Sequence, residues 1–150
     1  MYLSKVNKYI HSVLAVLGVL PFIGCLIMLL YPVSSPLFSG KIAETMSLYG
    51  LLIVSFIAGS HWGITLVGSQ DKRVEIALST NVVVVLLWLL YGRLSTPVML
   101  CLEALMLAIL LVQERLAWEM QVWPAGYATI RYWVTISVMV LLCLAANSLW

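Results

Sequence analysis

"MSLYGLLIVSFIAGSHWGITLV", residues 46–67, contains no Asp, Glu, Lys or Arg. A helix needs about 20 apolar residues to cross the hydrocarbon core of a bilayer, so this stretch reads as a membrane span. Within it, "AGSHWG" (residues 58–63) sets His61 and Trp62 among glycines and a serine. What an ionisable ring does there depends on what surrounds it.

The whole chain answers in the same sense. Of its 150 residues 63% are apolar and only 9% charged, where a soluble domain carries about a quarter charged. The mean hydropathy is +1.08. Trp and Tyr are plentiful, which fits membrane interfaces. The net charge of +2 forms no basic stripe, so nucleic acid is not an expected partner. Cys25, Cys101 and Cys143 fall in apolar runs and read as small buried hydrophobes, not a disulfide set or metal site.

Five segments are expected to cross, at about 9–31, 46–67, 74–91, 97–112 and 132–149. The fold class is therefore an all-α bundle of five transmembrane helices forming one domain over 1–150. The first run is too long for the h-region of a signal peptide, about 7–15 residues, and reads as a retained span. Pro97 suits the first turn of the fourth. The segment 113–131, "QERLAWEMQVWPAGYATIR", is expected to lie at the interface as a short amphipathic helix broken at Pro124.

Lys and Arg set the orientation. With five spans, Lys5, Lys8, Lys72, Arg73, Arg115 and Arg131 share one side, and Lys41 and Arg93 the other. The expectation is a cytoplasmic N-terminus and an external C-terminus in a bacterial inner membrane.

His61 then lies roughly 9 Å from the inner end of its span and Asn81 roughly 10 Å along the next, at 1.5 Å per residue. Arg131 and, one turn deeper, Thr135 enter from the same side on the last span. Polar groups in hydrocarbon turn inward and find one another, so these four are expected to form one layer. Its role is left open between a structural hydrogen-bond layer and a pocket holding a lipid or quinone head group. Burial and a nearby arginine both disfavour a charged imidazole, so His61 is expected to be neutral.

Ser55, Gly59 and Gly63, spaced four apart, form a small-residue ridge that lets another helix approach closely. Trp62 flanks it. His61 points about 200° from Gly59 at 3.6 residues per turn, which makes this the expected central helix. Glu103, in the fourth span near its outer end, is expected to be paired, reaching toward Arg93, or protonated and bonded to a Ser, Tyr or backbone carbonyl. The functional alternative is a proton or cation site.

With these residues in view, "YGLLIVSFIAGSHWGITL" resembles the signature of a small bacterial membrane family called domain of unknown function 3429, whose mitochondrial relatives include transmembrane protein 69. "WPAGYATIRYWVTISVMV" is similar to the family's segment before its last helix, matched at Trp123, Tyr127, Arg131 and Thr135; "PFIG" (Pro21–Gly24) also fits. The resemblance implies a five-span inner-membrane protein and marks His61, Trp62, Gly63 and Arg131 as the family's own residues. It implies no reaction.

There is no Gly-rich phosphate loop, H-E-x-x-H, C-x-x-C or G-x-S-x-G. No cofactor or metal is expected; a haem between His11 and His61 is the one such arrangement the depths allow. Three function classes follow: an accessory or binding protein acting through its helices on a membrane partner, a second copy or lipid; an oligomeric transporter or proton conductor built on His61 and Glu103; and a membrane enzyme or lipid- or quinone-binding protein.

Overall fold

The computed structural model describes residues 2–31, 41–67, 73–118 and 126–150, all of them in helices or short turns. The helices are α1 (Tyr2–Leu17), α2 (Leu20–Leu30), α3 (Ile42–Val67), α4 (Arg73–Leu90), α5 (Thr96–Trp118) and α6 (Tyr127–Ser148). By length and composition, four stretches among the described residues are fit to cross a membrane: Ile10–Leu30, Ile42–Gly63, Thr96–Glu114 and Tyr127–Ser148. Val74–Leu90 is apolar but shorter.

The first of these is a rod with a fault. α1 stops at Leu17 and α2 starts at Leu20, because Pro21 sits in the first turn of α2 and has no N–H to continue the ladder. Between α4 and α5, Gly92 takes φ +75°, a conformation that side chains with a Cβ rarely adopt.

Three helices carry buried residues at spacings of three and four. On α5 they are Leu100, Glu103, Leu107, Leu110 and Glu114; on α6, Arg131, Thr135, Val138, Leu142 and Ala145; on α3, Ser47, Gly50, Val54, Ala58, His61 and Thr65. This is the spacing of helices packed at a shallow angle. Phe22, Cys25 and Leu26 of α2 and Val83 and Leu87 of α4 add to the core. α4 packs on α3 and α5 from outside, with Val74, Leu78, Val82 and Trp88 exposed.

Contacts give the directions. Ser47 meets Glu103 and His61 meets Glu114, so α3 and α5 run parallel. Arg131 lies beside Glu114 and Leu142 beside Gly50, so α6 runs antiparallel to both. At the α1–α2 junction the Tyr49 hydroxyl donates to the Gly18 carbonyl at 3.1 Å, and Phe22 packs on Tyr49.

Several expectations change. The fourth span does not end at 112: α5 continues to Trp118. The interfacial helix at 113–131 is largely taken up by α5 and α6, since Gln113–Trp118 extend the one and Tyr127–Arg131 begin the other; Trp123 and Pro124 lie outside the described residues. Cys25 is buried as expected, but Cys101 and Cys143 are exposed. In a membrane an exposed thiol meets lipid tails, as apolar as the core itself.

Candidate functional site

At one end of the three-helix core, α3, α5 and α6 each contribute a buried polar group. His61 is 1% exposed, and Glu114 and Arg131 are each 5% exposed. Arg131 Nε lies 2.8 Å from Glu114 Oε1. Arg131 Nη2 donates to Ser60 Oγ at 2.6 Å, and Ser60 in turn donates to the Ile57 carbonyl at 2.6 Å. His61 Nε2 is 3.8 Å from Glu114 Oε2, and neither ring nitrogen has a hydrogen-bond partner among the described residues. Thr135 is buried one turn beyond Arg131 on the same face.

The expected layer is thus assembled in part. His61 and Arg131 come together at Glu114, and Thr135 is buried one turn along from Arg131; Asn81 does not join them. It is exposed, and its amide donates to the Ala77 carbonyl of its own helix at 2.7 Å. α4 gives Val83 and Leu87 to the core, while Asn81 lines an open cleft toward α3. Two residues are additions. Glu114 fell past the expected end of the fourth span, so its carboxylate was counted with the interface. Its signal was available: eleven residues after Glu103 is about three turns, which returns it to the same face. Ser60 adjoins His61 in sequence and reaches Arg131 by the next position round the helix.

A pair buried this deeply is costly to form, and removing one partner costs several kcal/mol more than removing both. Its geometry joins three helices at one level. His11, by contrast, is exposed and meets Tyr127 edge-on at 6.1 Å. No group of three or more His, Cys, Asp or Glu side chains suited to a metal occurs among the described residues.

At the opposite end of the core, Glu103 is fully buried. Ser47 Oγ donates to its Oε1 at 2.6 Å, so among the alternatives the partner is a serine; Arg93 is exposed in the α4–α5 turn. Gly50 makes room for the carboxyl: a Cβ there would collide with Glu103 Oε2. Here, not at Gly59, a missing side chain permits close packing.

The ridge on α3 has another aspect. A Cβ on Gly59 or Gly63 would meet nothing within 4 Å. Gly59 is exposed and Trp62 is 49% exposed. α3 is central in touching α2, α4 and α5, but among the described residues no helix packs closely on Gly59 or Gly63. Instead Ser55, Ala58, Gly59 and Trp62 of α3 face Thr80, Asn81 and Val84 of α4 across an open cleft of about 360 Å³. Ser55 is half-buried, its hydroxyl turned to the Leu51 carbonyl at 2.8 Å.

The chain matches, over residues 8–147, the model of a family described as "Protein of unknown function (DUF3429)". No curated protein matches it, and no solved structure does. The likeness to transmembrane protein 69 stays with the motif residues that suggested it.

Proposed function

The chain belongs to the DUF3429 family of unknown function, and we propose that it is a membrane-embedded accessory protein that binds an apolar helix of another membrane protein in the cleft between α3 and α4. One observation carries this reading: the small-residue face at Gly59 is open, although α3 is otherwise enclosed on three sides. Small residues four apart admit a second backbone closely. Asn81 on the opposite wall offers a carbonyl to a polar group on the incoming helix. The ion-pair centre supports the same reading as the part that holds α3 in place. The test is co-purification in mild detergent with Gly59→Leu beside the parent. The variant should fold normally and lose a stoichiometric partner; retention of that partner would remove the reading.

The topology that goes with it has five crossings. α3 and α5 are parallel, so α4 has to return the full distance between them. Its 18 residues span about 27 Å at 1.5 Å each, against a hydrocarbon thickness of about 30 Å. The excess of Lys and Arg then puts the N-terminus in the cytoplasm and the C-terminus outside a bacterial inner membrane.

A second reading, proton conduction, is favoured by one feature. Glu103 and Glu114 are both buried on one face of α5, about 16 Å apart along its axis. Between them lie Leu107, Leu110, Val54, Ala58 and Val138, an apolar gap that protons cannot cross without water. Proteoliposomes loaded with a pH-sensitive dye decide it: flux lost in Glu103→Gln supports conduction, and no flux from the parent removes it.

A further inference from the structure

A second cavity, of about 290 Å³, opens at the end of the bundle away from Arg131 and is lined by Glu44, Ser47, Tyr91, Gly92, Leu94, Thr96 and Met99. It sits where α3 begins and α4 turns into α5. Its polar groups are one carboxylate and three hydroxyls, with no Lys or Arg among the lining residues.

Ser47 decides what this cavity offers. The residue is 2% exposed, and its single proton goes to Glu103 Oε1 at 2.6 Å. What the hydroxyl can still present is a lone pair. Behind it, Glu103 Oε2 is buried without a hydrogen-bond partner among the described residues. The cavity is therefore rich in acceptors and backed by an under-satisfied carboxyl. Glu44 carries the exposed carboxylate at the rim, held by Lys41 at 3.6 Å. That ion pair is exposed on both sides and is readily exchanged for another cation.

We propose that this cavity binds a primary ammonium group, with the Glu44 carboxylate as counter-charge and the oxygens of Ser47, Tyr91 and Thr96 as acceptors. An ammonium has three N–H donors on a compact charge, matching a carboxylate and the hydroxyl-bearing residues of the lining. A divalent metal prefers six or more oxygen ligands with several carboxylates, which this set lacks. The cavity lies at a bundle end, the level of lipid head groups, so the ammonium belongs either to an aminophospholipid or to a soluble amine. The proposal does not rest on the cleft beside Gly59.

The test uses the full chain in detergent, titrated with ethanolammonium chloride against choline chloride at equal ionic strength. Ethanolammonium has N–H donors and choline has none, so ethanolammonium should raise the melting temperature and choline should raise it less. Glu44→Gln should weaken ethanolammonium binding about tenfold, the loss of one charge-assisted contact. Lys41→Gln should strengthen it by freeing Glu44. Both positions are exposed, so neither change threatens the fold. Native mass spectrometry from nanodiscs containing phosphatidylethanolamine and phosphatidylcholine separates the sources. Selective retention of the former, lost in Glu44→Gln, identifies a lipid ligand; binding of free amine without lipid selection identifies a soluble one. Equal response to ethanolammonium and choline, or full binding by Glu44→Gln, overturns the proposal. Gly59→Leu should leave the ammonium response intact, which keeps this test separate from that of the cleft.

Discussion

Arg131 of α6 and Glu114 of α5 stand 2.8 Å apart, each about nineteen-twentieths buried. Glu114 also faces His61 of α3 at 3.8 Å. The guanidinium and the carboxylate hold three helices at one level, and each needs the other.

The first prediction concerns that dependence. Arg131→Met leaves a buried carboxylate without its main partner and should cost about 3–5 kcal/mol. Arg131→Met with Glu114→Leu should recover most of the loss, because an apolar pair of similar bulk needs no compensation. Equilibrium unfolding in mixed micelles measures both. A double variant as unstable as the sum of the singles would refute the pairing.

His61 should matter less than Arg131 to stability. Its ring nitrogens have no hydrogen-bond partner among the described residues, and its contact with Glu114 is the longer of the two. His61→Gln and His61→Leu should each destabilise by less than Arg131→Met in the same unfolding assay. The reverse order would make the histidine, not the arginine, the centre's anchor.

The two glycine faces of α3 should respond in opposite ways. Gly50→Ala brings a Cβ into the Glu103 carboxyl, and overpacking of this kind costs about 1–3 kcal/mol. Shortening the neighbour, as in Gly50→Ala with Glu103→Ala, should relieve the collision. Gly59→Ala meets open space and should shift stability by no more than about 0.5 kcal/mol. Thermal melts of the three variants in detergent check this; equal tolerance at Gly50 and Gly59 contradicts the packing at Gly50.

Glu103→Gln should fold like the parent. The amide carbonyl can accept the Ser47 hydroxyl as the carboxyl oxygen does, at nearly the same volume. Ser47→Ala removes the one hydrogen-bond donor to Glu103 among the described residues and should cost about 1–3 kcal/mol. If Glu103→Gln is the worse of the two, the carboxyl does more than accept that bond.

The topology prediction is read at the two ends. A reporter that works only outside the cytoplasm should be active after Trp150 and silent before Met1. Activity at both ends would mean that α4 does not cross.

Much of the bundle was legible in the residues alone. Long uncharged runs located the spans, because backbone groups in hydrocarbon must bond within their own helix. Pro97 was placed in a first helical turn by local chemistry, and α5 begins at Thr96. That Arg131 and Thr135 share one face followed from helical spacing; the structure shows that face to be buried. The inward direction of His61 was likewise readable, because an ionisable ring facing lipid tails is costly. What only the tertiary structure decided is which apolar face packs against what. Gly50 and Gly59 are alike in sequence, yet one touches a carboxyl and the other meets nothing. Asn81 looked equivalent to His61 in depth, yet it lines the open cleft between α3 and α4 and is exposed there. Glu114 belongs to the centre because α5 runs on past residue 112. In water, the apolar stripe of a helix names its buried side. In a bilayer, lipid tails are as apolar as the protein core, so hydrophobicity finds the helices but leaves their rotation to packing.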